Sequence, residues 1–177
     1  MNFNWITFFT LIIAVITALF VWWQVSKLNK QIQLQALLDL DKEWNSKTML
    51  DCRAEVCGII KDKKDLTDED LSVIEELLEY LEKVCSLVQL GILDKESVWH
   101  VTGWYIERYY YSLKERDIIT NLRRKWTTEP DCTLYADIEE IYKRLIKMEE
   151  KEMKTTKESI EADFKKYENK FFEAERS

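Results

Sequence analysis

Three glycines and one proline are all that 177 residues hold. Hairpins and barrels draw on both residues at their turns, so this supply excludes them and leaves an all-α chain. Histidine is scarcer still, since His100 stands alone. One imidazole excludes the dinuclear metal sites built on helical Glu-x-x-His pairs. It leaves zinc to Cys52, Cys57, Cys85 and Cys132, a set with no close pair. A four-cysteine site is geometrically open to them, but reduced thiols acting as small core hydrophobes are the plainer reading. A Cys–His nucleophile would need His100 to meet one of these thiols in space. No Gly-rich phosphate loop occurs, and no arginine stands in the residues just before His100. No catalytic residue, cofactor or metal ligand is therefore assigned, and an enzyme ranks behind a protein that binds.

Charge is also missing, and from one place. Nothing from Met1 to Ser26 carries a charged side chain, so all 26 Lys and Arg and all 33 Asp and Glu lie from Lys27 onward, with a net charge of -7. The acidic balance argues against a nucleic-acid partner, whose phosphates call for a positive face. Inside the neutral stretch, Trp5 to Trp23 is an apolar run that as a helix measures roughly 28 Å, enough for a hydrocarbon core of about 30 Å. Its residues before Trp5 carry no basic side chain, and it ends in Phe20, Val21, Trp22 and Trp23, too bulky for a signal-peptidase site. A retained anchor is expected. Trp5 at one end and Trp22 with Trp23 at the other are placed as interfacial aromatics, and Lys27 and Lys30 follow at the exit. The basic side of a short flank stays in the cytoplasm, so the expected topology is a single pass through a cell inner membrane, N-terminus out and C-terminal domain cytoplasmic.

The remainder reads as helices. Lys27 to Trp44 has no Gly or Pro and continues the anchor as a rod, with Leu28 and Ile32 as an apolar pair facing a partner, an identical chain or the C-terminal helix. Asn45 or Ser46 caps a helix over Thr48 to Asp62, and Lys61 to Asp65 is a solvated loop. Thr67 with Asp70 forms a capping-box variant that opens the best-patterned helix, where Leu71, Ile74, Leu77, Leu78, Leu81, Val84, Cys85 and Val88 recur at three and four. Gly91 ends it and Asp94 caps the next. Gly103 breaks that helix, Trp126 to Asp131 is the proline turn, and a last helix runs unbroken from about Asp131 to Ala174. Ile146, Met153, Ile160 and Tyr167 recur every seven residues along it, joined by Phe164 and Phe171, with Glu150 and Lys157 in the middle. This is either half a coiled coil or a helix packed on its own domain through Tyr135, Ile138, Ile141, Tyr142 and Leu145. The expected organisation is an anchor at 1–26, a helical bundle at 27–147 and a charged helical extension at 148–177.

Several stretches carry a resemblance. Leu-Asp-Leu-Asp-Lys-Glu-Trp-Asn-Ser at 38–46, Leu-Leu-Glu-Tyr-Leu-Glu-Lys-Val at 77–84, Leu-Gly-Ile-Leu-Asp at 90–94 and the aromatic stretch Tyr105 to Tyr111 follow one N-terminal anchor. In this order the chain resembles the short bacterial and phage membrane proteins of domain-of-unknown-function family forty-seven-sixty, over Gln31 to Lys147. The resemblance implies the architecture and a bacterial or prophage source, and it brings no site.

The candidate contacts come from the residues themselves. Tyr109 and Tyr110 belong to an aromatic cluster too dense to point inward as a whole, and Phe164 and Phe171 lie on the heptad seam. Arg123, Arg124 and Lys125 either rest on anionic lipid or a phosphate, or meet their own helix dipole. Glu107 and Arg108 form a buried polar pair or a surface ion pair. The expected activity is protein–protein interaction at a membrane, with another protein or a second copy as partner. A phage–host conflict factor, such as one for superinfection exclusion, is the alternative, and a membrane-tethered enzyme is third.

Overall fold

The computed structural model describes residues 5–62, 65–126 and 133–176, and every regular element among them is helical. Helix α1, Trp5–Trp44, runs 40 residues without Gly or Pro to interrupt it. It is the one described helix long and apolar enough to cross a membrane, with a mean hydropathy of 2.2 in its most apolar window and none of that window buried. The chain divides into two units at Asp39/Leu40, so the last turn of α1 belongs to the second.

That second unit is built from α2 (Lys47–Asp62), α3 (Asp68–Gln89), α4 (Lys95–Val98), a π turn (Trp99–Gly103), α5 (Trp104–Glu115), α6 (Ile118–Trp126), α7 (Ala136–Met153) and α8 (Lys157–Glu175). Helix α3 packs on α2 and α7, while α5 packs on α6, α7 and α8, and α8 also lies on α2. The apolar stripe of α3 is the centre: Ile74, Leu77, Leu78, Leu81 and Cys85 are fully buried. Each bears on burial at roughly 25 cal/mol per Å² of apolar surface.

Local signals set most of the helix ends. Ser46 caps α2 by accepting from Met49 N at 3.2 Å, while Asn45 Nδ2 turns back to Asp41 O at 3.0 Å. Thr67 Oγ1 accepts from Asp70 N at 3.2 Å and Asp70 Oδ2 accepts from Thr67 N at 2.9 Å, closing the capping box. Gly91 takes φ 69. There Ile92 N donates to Leu87 O and Gly91 N to Val88 O at 2.9 and 3.0 Å, the paired bonds of a Schellman end. The N-terminus of α7 has no cap of its own, because Tyr135 sits at φ 60. Glu82 of α3 supplies one across space, accepting from Ile138 N at 2.9 Å and Asp137 N at 3.3 Å. The expectations on Lys63, Lys64, the Pro130 turn and Cys132 lie outside the described residues.

One expectation is corrected. The last helix is not continuous: Lys154 adopts φ 52, and Thr156 caps a separate α8. Lys157 N donates to Glu150 Oε1 at 2.8 Å, so one of the charges that interrupted the seam holds the turn. Folding back buries Ile160, Phe164, Phe171 and Phe172 in the chain's own core, whereas Met153 and Tyr167 stay exposed. The heptad pattern is thus spent on an intramolecular hairpin, and the expected boundary at 147/148 falls inside α7.

The helix after Asp94 does divide at Gly103 into a short helix and a longer one, by a π turn and without a kink. Gly103 ends the π turn, with its neighbours still right-handed. A Cβ there would stand 2.9 Å from Trp99 Cδ1 and 3.6 Å from Leu145 Cδ2. Glycine is present because an indole and a helix approach its backbone. Gly103→Ala is expected to destabilise the fold by about 1–3 kcal/mol through overpacking. Gly58→Ala, whose Cβ would meet only Arg176 Cζ at 4.0 Å, gains up to about 1 kcal/mol of helix propensity. Thermal melts of the two variants side by side check this, and equal midpoints would remove the packing explanation.

Candidate functional site

One buried polar cluster joins the end of α1 to α2, α5 and α8. Arg53 is buried on α2. Its Nε donates to Glu175 Oε2 at 2.7 Å and its Nη1 to Trp44 O at 3.2 Å. The guanidinium lies 4.2 Å from the centre of the Trp44 ring and 5.4 Å from that of Tyr105, an arrangement in which a flat cation keeps its hydrogen bonds in plane and its faces on aromatics. Glu175 Oε2 also accepts from the Tyr109 hydroxyl at 3.0 Å, and Cys57 Sγ lies 3.4 Å from that hydroxyl. Burial pushes the Cys57 thiol up to about 12, with the Tyr109 hydrogen bond opposing it. It holds no thiolate near neutrality and is no nucleophile. Burial does the same to Cys52, again to about 12, and raises Cys85. The cluster is a closed, mutually satisfied lock.

A second cluster lies between α5 and α7. Glu107 is 1% exposed, and its Oε1 has no hydrogen-bond partner among the described residues. Burial pushes its carboxyl up to about 8, and the nearby Glu149 carboxylate adds to the effect while Arg108 opposes it. Glu149 is raised by burial too, and its Oε2 is likewise unpartnered. Burial thus pushes both carboxyls toward their protonated forms. Neither expectation for Glu107 and Arg108 holds in full, because Arg108 turns away. Its Nη1 donates to Trp104 O at 3.3 Å, and its guanidinium lies 4.1 Å from the Trp104 ring and 4.9 Å from that of Phe164.

Above this cluster the rings reach the surface. Trp104 packs edge-on against Phe171 at 5.0 Å and is 44% exposed. Tyr167 is 43% exposed, and it stands between Phe164 and Phe171 at helical spacing on the same face of α8. Lys166 and Lys170 ammonium groups lie 5.0 and 5.6 Å from its ring centre. Trp104 and Arg108 therefore form a part-exposed aromatic and cationic face over Phe164 and Phe171, and Tyr167 lies one helical turn along α8 from both of these rings.

The residues singled out in the sequence fall otherwise. Tyr109, Tyr110, Phe164 and Phe171 are all buried, which corrects their reading as contact residues. Tyr109 and Tyr111 pack on Phe171 and Phe164, and Tyr110 on Tyr142. The aromatic cluster does turn part of itself outward, but through Trp104. Arg123 is occupied as well. Its Nε donates to Leu134 O at 2.8 Å and its Nη2 to Glu139 Oε2 at 3.1 Å, so it holds the start of α7. Lys125 pairs with Asp68 at 3.3 Å, and Arg124 stands exposed. His100 is exposed beside the Trp99 ring. In the first unit Trp5, Trp22 and Trp23 are exposed, as are Lys27 and Lys30, and the Lys27 ammonium lies 5.6 Å from the Trp23 ring centre. Among the described residues no group of three His, Cys, Asp or Glu converges as metal ligands.

Residues 10–145 match the family described as Domain of unknown function (DUF4760). The chain belongs to this family. The DUF4760 match takes in most of the apolar run and stops inside α7. Arg53, Trp104, Glu107 and Arg108 lie within it, and Glu149, Tyr167 and Glu175 beyond it. No curated protein and no solved structure matches the chain.

Proposed function

We propose that this DUF4760 chain is a single-pass protein of a bacterial inner membrane, N-terminus outside, whose cytoplasmic helical domain works by binding another protein at the membrane surface. The observation that carries the reading is the part-exposed face of Trp104 and Arg108 over Phe164 and Phe171, with Tyr167 one helical turn along α8 from both of these rings. Trp, Tyr and Arg are the residue types that concentrate binding energy in protein interfaces, and these three rest on a rigid core. The apolar helix contributes by confinement, which raises the domain's effective concentration toward a membrane partner without new contacts. Lys27 and Lys30 at the end of the apolar run support the orientation. The cationic edge of the face suits a partner segment that offers carboxylates around an apolar anchor.

Proximity labelling from the C-terminus of the intact, membrane-inserted protein tests this, run beside a chain that starts at Lys27. The expected result is a defined membrane protein labelled by the anchored form alone, and lost in Trp104→Ala and Tyr167→Ala while helical content is unchanged. His100→Ala is expected to leave it intact, whereas an enzyme built on His100 would show the reverse pattern. Labelling that never rises above background in any form would sink the reading.

A further inference from the structure

Helix α1 carries an apolar stripe along one side of its length. Leu11, Ala14, Ala18, Val21, Val25, Leu28 and Ile32 follow one another at alternating steps of three and four, the spacing that keeps one seam toward a supercoiled neighbour. All seven are exposed. Lipid and its interface account for the first five. They do not account for Leu28 and Ile32, which are 54% and 50% exposed and lie past Trp22 and Trp23. Ile32 stands about 13 Å beyond Trp23 along the axis, outside the hydrocarbon, where apolar side chains need a cover. From this continuous stripe and its charge pattern, we propose that α1 pairs in parallel with α1 of a second copy, in register, along Val21, Val25, Leu28 and Ile32, with Ala14 and Ala18 facing each other in the bilayer.

Two observations select a second copy over another occupant. Proteins inserted by one topology rule point the same way, so two copies meet in parallel and set each residue against itself. Such a pairing fails where a charge falls on the seam, because there each residue meets its own copy. Here the flanking positions are Trp22, Gln24, Asn29 and Gln31, all uncharged, while Lys27 and Lys30 fall on the outer face. Past Ile32 the stripe continues as Gln35 and then Asp39, so self-pairing ends where two carboxylates would oppose each other. Within the bilayer the two alanines let backbones approach closely, which is what drives association where no hydrophobic effect acts. Beyond it, burial of Leu28 and Ile32 does the work.

The inference rests on α1 crossing the membrane, the first half of the proposed function. Single cysteines at Val25, Leu28 and Ile32, and at Lys27 and Lys30 as outer-face controls, are oxidised with copper phenanthroline in the full chain in native membranes, with the wild type reporting the native thiols. Disulfide dimers at Leu28→Cys and Ile32→Cys at least tenfold above the two controls are expected, and Ile32→Lys should abolish the dimer at Leu28→Cys. Equal cross-linking at all five positions, or none at the seam, overturns the pairing. If the seam stays silent while proximity labelling still marks a membrane partner, self-pairing has failed and the binding reading stands. Release of the chain by alkaline carbonate overturns both.

Discussion

Arg53→Met is expected to lower the thermal midpoint of the helical unit by on the order of 10 °C. The substitution nearly preserves side-chain volume and removes the Arg53 cation from its pair with Glu175, in which the two side chains are each 7% exposed. Breaking a buried pair from one side costs about 3–5 kcal/mol, because the surviving charge stays in low dielectric without its partner. For a domain of this size each kcal/mol shifts the midpoint by about 2–4 °C. Tyr109 still donates to Glu175, which softens the loss. The ion pairs nearby, Lys61 with Glu173 and Arg176 with Asp62, are solvent-exposed and contribute little. A second variant separates the charge from the packing. Arg53→Met with Glu175→Leu removes both charges, and the double change should cost clearly less than the sum of the single ones. The lock holds α8 to α2, so hydrogen exchange in Lys157–Glu175 should rise first in the single variant. Additive losses, or a single loss under about 1 kcal/mol, would show that the pair is incidental to the packing of α8.

What could be read from the sequence divides along the range of the interaction. The capping box of Thr67 and Asp70, the Gly91 end and the length of α1 are local, decided within one turn or by one unbroken apolar run, and the chain displays them openly. The break at Lys154 is not of this kind. Lys-Thr-Thr-Lys contains no Gly or Pro, and what favours reversal there is the burial of Phe164, Phe171 and Phe172 against residues far off in sequence. Thr156 was the one available sign, as a cap three residues before Ser159. The aromatic stretch shows the same limit. Its density says that some rings face out, but only the packing of α5 between α7 and α8 decides that Trp104 does so and Tyr109 does not. The lock is the extreme case, since Arg53 and Glu175 are 122 positions apart.

Glu107→Gln is expected to make the protein more stable than the wild type at pH 8 by several kcal/mol, and no more stable near pH 4.5. The sign follows from where the proton sits. In the fold, burial first and Glu149 second lift the Glu107 carboxyl from the ordinary 4.5 to about 8, while in the unfolded chain it ionises near the lower value. Between the two the native state binds more protons than the unfolded one, so stability falls as pH rises, by about 1.4 kcal/mol per unit at most. The contribution is complete below the unfolded value and gone once pH passes through about 8. Glutamine cannot ionise, so the variant loses this slope. Glu149 shifts in the same direction through its own burial, and it keeps a smaller slope of the same sign in both proteins. Arg108, whose desolvation lowers its own pKa while Glu107 raises it, opposes the Glu107 shift and is already included in it. Denaturant unfolding of both proteins at half-unit steps from pH 5 to pH 8.5 reads the difference directly. Parallel curves would mean that Glu107 is ionised in the fold throughout, paired by a water or by a movement of Arg108 off the Trp104 ring. A converging pair toward acid would instead place a proton-dependent strain in the core under the same α5 face that Trp104 and Arg108 present, so that alkaline pH loosens that core.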